Sequence, residues 1–209
     1  MPYNPEIHHR RSIRLKGYDY SQQGAYFLTI CTHQRNCLFG EIVDGEMKLN
    51  TNGEIARYSW LSIPRHFQNA ELDEFVIMPN HLHGIIMIVK SEATQDFSQS
   101  VSEVEGEALA NQDFQRKQNL SSQCFAPTGE KIKINGTTPQ SLGSIIQNYK
   151  SVSTRQINRI NKAKGNVIWQ RNYYERVIRN EEALNNTRQY IVNNPINWEE
   201  DEENTNNLN

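Results

Sequence analysis

Cysteine is scarce in this chain, and what there is cannot build a framework. Cys31, Cys37 and Cys124 are odd in number and stand at no metal-ligand spacing. That excludes a disulfide scaffold or a zinc knuckle and fits a reducing cytoplasm. Long apolar runs are also missing, since none approaches the roughly 20 residues that a bilayer span requires. The first residues are polar and basic, without the apolar centre of a signal peptide. Nor is there a charge excess: 22 Lys and Arg stand against 24 Asp and Glu, a net charge of -2. The simplest mark of a nucleic-acid partner is therefore absent, but the average conceals segregation. Residues 1–35 hold five Lys/Arg against two acids, and residues 139–190 hold nine against three. The acids collect within 91–130 and in Glu199-Glu200-Asp201-Glu202-Glu203. Two basic segments can still make one electropositive surface.

With 209 residues the chain can bury one sizeable core. Its apolar pattern switches between strand and helix. Ala25 to Thr32 is rich in β-formers and too short for a typical helix. Leu38 to Leu49 reads as a hairpin turning at Asp44-Gly45. Thr51-Asn52-Gly53-Glu54 matches a capping box, with Thr51 as cap, and predicts a helix to about His66. Thr138-Pro139 opens a second helix, whose stripe of Leu142, Ile145, Ile146, Tyr149, Val152 and Ile157 is the clearest amphipathic pattern in the chain. Gly165 ends it. Val167–Gln170 and Tyr173–Arg179 are strand-like. Asn180 caps a last helix with Glu181 and Glu182 at its positive end, and Pro195 stops it.

Two stretches lack such order. Residues 91–138 are dominated by Ser, Gln, Asn and Glu, and read as a flexible acidic insertion in one domain spanning 25–198. Residues 1–24 read as a basic arm, either disordered or touching phosphates, and 199–209 as an acidic disordered tail.

Chemistry concentrates in Met78-Pro79-Asn80-His81-Leu82-His83-Gly84, between the apolar runs Glu74–Ile77 and Ile85–Val89. Pro79-Asn80 marks a turn, so the histidines open the second strand. Side chains at i and i+2 leave a strand on one face, roughly 7 Å apart at their α-carbons. Both imidazoles can reach one ion while Leu82 points into a core. Such a pair is either structural or suited to metal or phosphate work. Near the other end, Tyr190 and Asn194 lie at i and i+4 and share a helix face.

The Pro79–His83 segment resembles the motif of HUH nucleases, two histidines around a bulky apolar residue. The segments Trp169–Asn180 and Tyr190–Pro195 resemble the C-terminal blocks of REP-associated tyrosine transposases, relatives of small insertion-sequence transposases. The resemblance covers about residues 8–90 and 139–198. One departure is Glu175-Arg176, where relatives often carry a histidine.

The resemblance implies an α+β fold: a ferredoxin-like sandwich, an antiparallel sheet with helices on one face. It implies that His81, His83 and Asn194 bind a divalent cation, Mg²⁺ or Mn²⁺, and that Tyr190 is the nucleophile. It also implies a single-stranded or hairpin DNA partner, cleavage through a 5′-phosphotyrosine, and work at the nucleoid as monomer or homodimer. Arg10, Arg11, Lys16, Lys150, Arg155, Arg171, Arg176 and Arg179 are the expected DNA contacts. Two other readings use the same residues: a hairpin DNA- or RNA-binding regulator without turnover, and a metal phosphodiesterase using water.

Overall fold

The computed structural model describes residues 18–89 and 137–204. Strand β1 is Gly24–Cys31. The hairpin strands are β2, Gly40–Val43, and β3, Glu46–Leu49. Helix α1 is Thr51–Leu61, followed by the single turn α2, Ile63–His66. Strands β4, Ala70–Ile77, and β5, His81–Ile88, come next. Helix α3 is Leu142–Ile160, β6 is Tyr174–Ile178, and α4 is Glu181–Asn193. None of the helices among the described residues is long and apolar enough to cross a membrane. Most of the expected insertion, the first 17 residues of the arm and residues 205–209 lie outside the described residues.

Strands β4, β5, β1 and β6 form one sheet in that order, and every neighbouring pair is antiparallel. Leaving aside the small β2–β3 sheet, the chain runs strand, helix, two strands, helix, strand, which is the ferredoxin-like arrangement.

Alternation along the central strands sorts the side chains. Tyr26, Leu28 and Ile30 of β1 stand opposite Ile86, Gly84 and Leu82 of β5. This face packs against α1 and α3 through Ala56, Trp60, Ile145, Ile146, Tyr149 and Ile157, all at most 2 % exposed. Burying each large apolar side chain contributes about 1.5–3 kcal/mol, so this layer dominates the stability. Gly84 is required here by proximity: a Cβ would stand 2.6 Å from Cζ2 of the Trp60 ring. The other sheet face carries Phe27, Ile85 and Ile178, which pack against Ile191 of α4. Helices α1 and α3 thus share one face, as expected, while α4 covers the opposite one.

Local signals held where one residue type satisfies a backbone demand. Asp44 and Gly45 both adopt positive φ, 52° and 75°, as a tight two-residue hairpin turn needs. Asn180 caps α4 by accepting from the Ala183 N–H at 2.8 Å. Two caps moved. Asn50, not Thr51, caps α1 by accepting from the Gly53 N–H at 3.0 Å. Ser141, not Thr138, caps α3.

Residues 18–23 of the expected arm are not a free arm: Tyr18 and Tyr20 pack beside Tyr26, and the Tyr20 carbonyl accepts from Leu142 N–H at 3.0 Å. The tail expected to be disordered from residue 199 is ordered through Asn204. Trp198–Glu200 form a short 3-10 turn, and Asp201 and Asn204 are buried.

Candidate active site

Strand β5 places His81 and His83 on the α4 face of the sheet, opposite Cys31 and Thr29 of β1. Leu82 between them is fully buried on the other face. The two imidazole rings lie 4.4 Å apart between centroids, and His83 stacks on Phe27 at 5.4 Å. Both histidines are buried, His81 at 0 % and His83 at 3 % exposure. Burial pushes the His81 imidazolium down to about 3. Burial, then repulsion from His81, holds His83 well below the usual histidine range. Both rings are therefore neutral at physiological pH and carry a lone pair.

Neighbouring groups decide which nitrogen is bare. Asn80 donates its Nδ2 to the carbonyls of Arg35 and Glu203, at 3.2 and 2.7 Å. Its Oδ1 is thereby turned to His81, whose Nδ1–H donates to it at 2.8 Å. Nε2 of His81 is buried and has no partner. Nδ1 of His83 lies 2.9 Å from Thr29 Oγ1, which leaves Nε2 on the opposite side. Such outer contacts fix the tautomer of a metal-binding histidine.

Helix α4 brings the C-terminal residues to the same place. It is anchored on the sheet by Ile191 and by an ion pair at two points. Arg188 Nε and Nη2 donate to the two carboxylate oxygens of Asp73, at 2.8 and 2.6 Å. Asp73 lies at an irregularity of β4 between Leu72 and Phe75, and the arginine holds its carboxyl below the ordinary range. Two residues further on, Tyr190 projects over His83, with ring centroids 5.2 Å apart. Its phenol oxygen is 3.2 Å from His83 Nε2, while the side chain stays 48 % exposed. Burial, followed by the charges of Asp201, Glu202 and Glu203, raises the phenol to about 12, and the Asn194 amide acts in the opposite sense.

Asn194 is buried one turn later. Its Nδ2 donates to Asp201 Oδ2 at 2.9 Å, and its Oδ1 is buried without a partner. One ligand atom each of His81, His83 and Asp201 lie within 4.8 Å of one another, a group that can hold a metal ion. Two neutral imidazoles, one with its Nε2 unpaired, the unpaired Asn194 Oδ1 and a carboxylate suit a divalent cation.

The structure thus brings together Tyr190, His81, His83 and Asn194. Asp201 escaped sequence reasoning because it sits in an acidic run that reads as solvated tail. The available signal was Trp198, since an aromatic ring in a polar tail is a sign of docking, and its ring lies 6.0 Å from His81. Asn80 and Thr29 were legible only as turn and strand residues.

The expected DNA contacts divide. Arg10, Arg11 and Lys16 lie outside the described residues. The Lys150 ammonium is engaged within the fold: it donates to the carbonyls of Gln170, Arg171 and Asn172 and lies 5.1 Å from the Tyr173 ring. Burial lowers it to about 8. Arg176 donates to Thr187 Oγ1 at 3.0 Å and lies over Phe27, tying β6 to α4. Arg155, Arg171 and Arg179 are exposed. Arg155 lies on α3, across the sheet from the histidines, beside a groove it lines with Arg159, Lys162 and Lys164.

No protein-family model matches the sequence. An uncharacterized protein of Haemophilus influenzae is 41% identical over 200 residues, which is 96% of each chain. The structure of a REP-associated tyrosine transposase bound to a REP hairpin superposes with a TM-score of 0.50 at 17% identity, over 88% of this chain and 73% of that one. The chain therefore belongs to the family of the Haemophilus influenzae protein, and its fold is that of the REP-associated tyrosine transposase.

Proposed function

We propose that the protein is a metal-dependent endonuclease and strand-transfer enzyme for single-stranded DNA, cleaving through a 5′-phosphotyrosine at Tyr190. The observation that carries this reading is the Tyr190 phenol oxygen, 3.2 Å from His83 Nε2 on a half-exposed residue beside two neutral imidazoles. His81, His83 and Asn194 would hold the ion, with the bare His81 Nε2 and Asn194 Oδ1 as donors. A divalent cation there, Mg²⁺ or Mn²⁺, would supply positive charge to offset that of the scissile phosphate.

The chain's own groups do the rest. Tyr190 is held on a helix fixed by Asp73–Arg188, so its oxygen is aimed before DNA arrives. The phenol oxygen attacks phosphorus in line. The Oη–P bond forms, the P–O3′ bond breaks, the phenol proton passes to solvent and the departing oxygen takes one from water. The 5′-phosphate remains on Tyr190, and a 3′-OH can later reverse the step without ATP. A phenol raised to about 12 is protonated at neutral pH, so proton loss must accompany attack. Arg155, Arg171 and Arg179, with Arg10, Arg11 and Lys16, supply phosphate contacts and make binding salt-dependent. Lys150 acts within the fold, while Arg176, exposed beside its bond to Thr187, is a further candidate phosphate contact. The structural neighbour is bound to a REP hairpin, which supports a hairpin-bearing repeat as the substrate class, with the nucleoid as the expected place of work.

Incubation with hairpin single-stranded DNA and Mn²⁺, followed by a denaturing gel, tests the reading. A covalent protein–DNA band is expected from the wild type. Tyr190→Phe should abolish the band and keep DNA binding, since one oxygen is removed. A band that persists in the Phe variant overturns the assignment of the nucleophile. A free 5′-phosphate end with no adduct means that water attacks, and binding without any product means a silent hairpin binder.

A further inference from the structure

We propose that Asp201, on the segment beyond α4, is a protein ligand of the divalent cation, and that ion and segment dock as one unit. This assignment rests on the metal-dependent reading above and adds to it an anionic ligand and a coupling.

Position is the first support. The Asp201 oxygen and one nitrogen of each imidazole all lie within 4.8 Å of one another. Ligand atoms about 2.1–2.2 Å from an ion stand roughly 3–4.4 Å apart, so a shift of tenths of an ångström completes a shell. Orientation is the second. Asp201 is 8 % exposed, and its oxygens are already aligned by the Asn194 amide at 2.9 Å and the Glu203 N–H at 2.6 Å. Donating Nδ2 to Asp201 leaves Asn194 Oδ1 as an orphan, like His81 Nε2. A buried unpaired acceptor is destabilising, and one cation would satisfy both. Chemistry is the third. A hard carboxylate beside two imidazoles and an amide oxygen suits Mn²⁺ and lowers the net charge at the ion from +2 to +1.

Attachment of the segment supplies the coupling. Glu203 pairs with Arg35 at 2.9 Å, and its carbonyl accepts from the same Asn80 amide that orients His81. Trp198 lies against His81. Arg35 itself holds a left-handed backbone, φ 54°. The strap and the histidine are thus set by shared groups.

The test uses the full chain and Mn²⁺ alone, without DNA. Free Mn²⁺ is followed by its paramagnetic resonance signal during titration of the wild type, Asp201→Asn and His81→Ala. Asp201→Asn should weaken binding at least about tenfold. In parallel, Mn²⁺ should slow hydrogen exchange of residues 198–204 in the wild type. Wild-type affinity in Asp201→Asn, with binding lost in His81→Ala, overturns the proposal and leaves the nuclease reading intact. Exchange at 198–204 that ignores Mn²⁺ in the wild type also overturns it, and needs no variant to fold. Mn²⁺ binding that depends on Asp201, with no phosphotyrosine adduct in the hairpin-DNA incubation described above, supports the ligand and sinks the covalent reading.

Discussion

At the scale of single residues the site works through removed ambiguity. An isolated imidazole offers two nitrogens and two charge states. Asn80 selects the nitrogen for His81, and burial selects the charge state for both rings. The choice leaves a mark on stability. The folded-state values of both rings are lowered, so the unfolded chain binds more protons as pH falls below about 6.5. Stability is fully present above that pH and is lost as pH falls toward the folded value, about 3 for His81. In the presence of a chelator, the melting temperature should drop between pH 7 and 5, before most carboxylates titrate. His81→Asn should flatten the drop. A wild-type profile that is level over this window would contradict the neutral, buried pair.

Elements show what a sequence can and cannot disclose. The Asp44-Gly45 turn was legible because two successive positive φ angles admit few residues. Caps were legible only to within a turn: Asn50 and Thr51, or Thr138 and Ser141, are chemically alike, and packing of the helix decides between them. The alternation of β5 was legible, including Leu82 facing the core, since period two leaves no other choice. The reason for Gly84 was not, because Trp60 comes from a distant helix. Gly84→Ala pushes a Cβ into a ring that is itself fully buried, so it should cost about 1–3 kcal/mol. The melting temperature should then fall by several degrees, by about 2–4 °C per kcal/mol at this chain length, while the histidine face of the strand keeps its geometry. An unshifted melt would mean that Trp60 yields without cost.

The whole molecule converges three segments, around residues 29–36, 80–83 and 190–204, on one candidate metal group. No periodicity links them, and only resemblance joined Tyr190 to the histidines. The acidic tail was misread because composition describes solvated chain well and docked chain poorly. The same convergence lies within one chain, and Asp73–Arg188 secures the tyrosine helix to its own sheet. Mixing His81→Ala with Tyr190→Phe should therefore not restore the covalent band. Recovered adduct would show that the helix is exchanged between two copies.

The ring against His81 has an optical consequence. Of three tryptophans, Trp60 and Trp169 are buried in the core on the far side of the sheet, and only Trp198 borders the histidines. Replacing Trp198 by phenylalanine subtracts that one emitter, so the difference spectrum isolates it. Under the proposed site, paramagnetic Mn²⁺ should quench this component and Mg²⁺ should not, which would make the protein a built-in fluorescent gauge of its own loading.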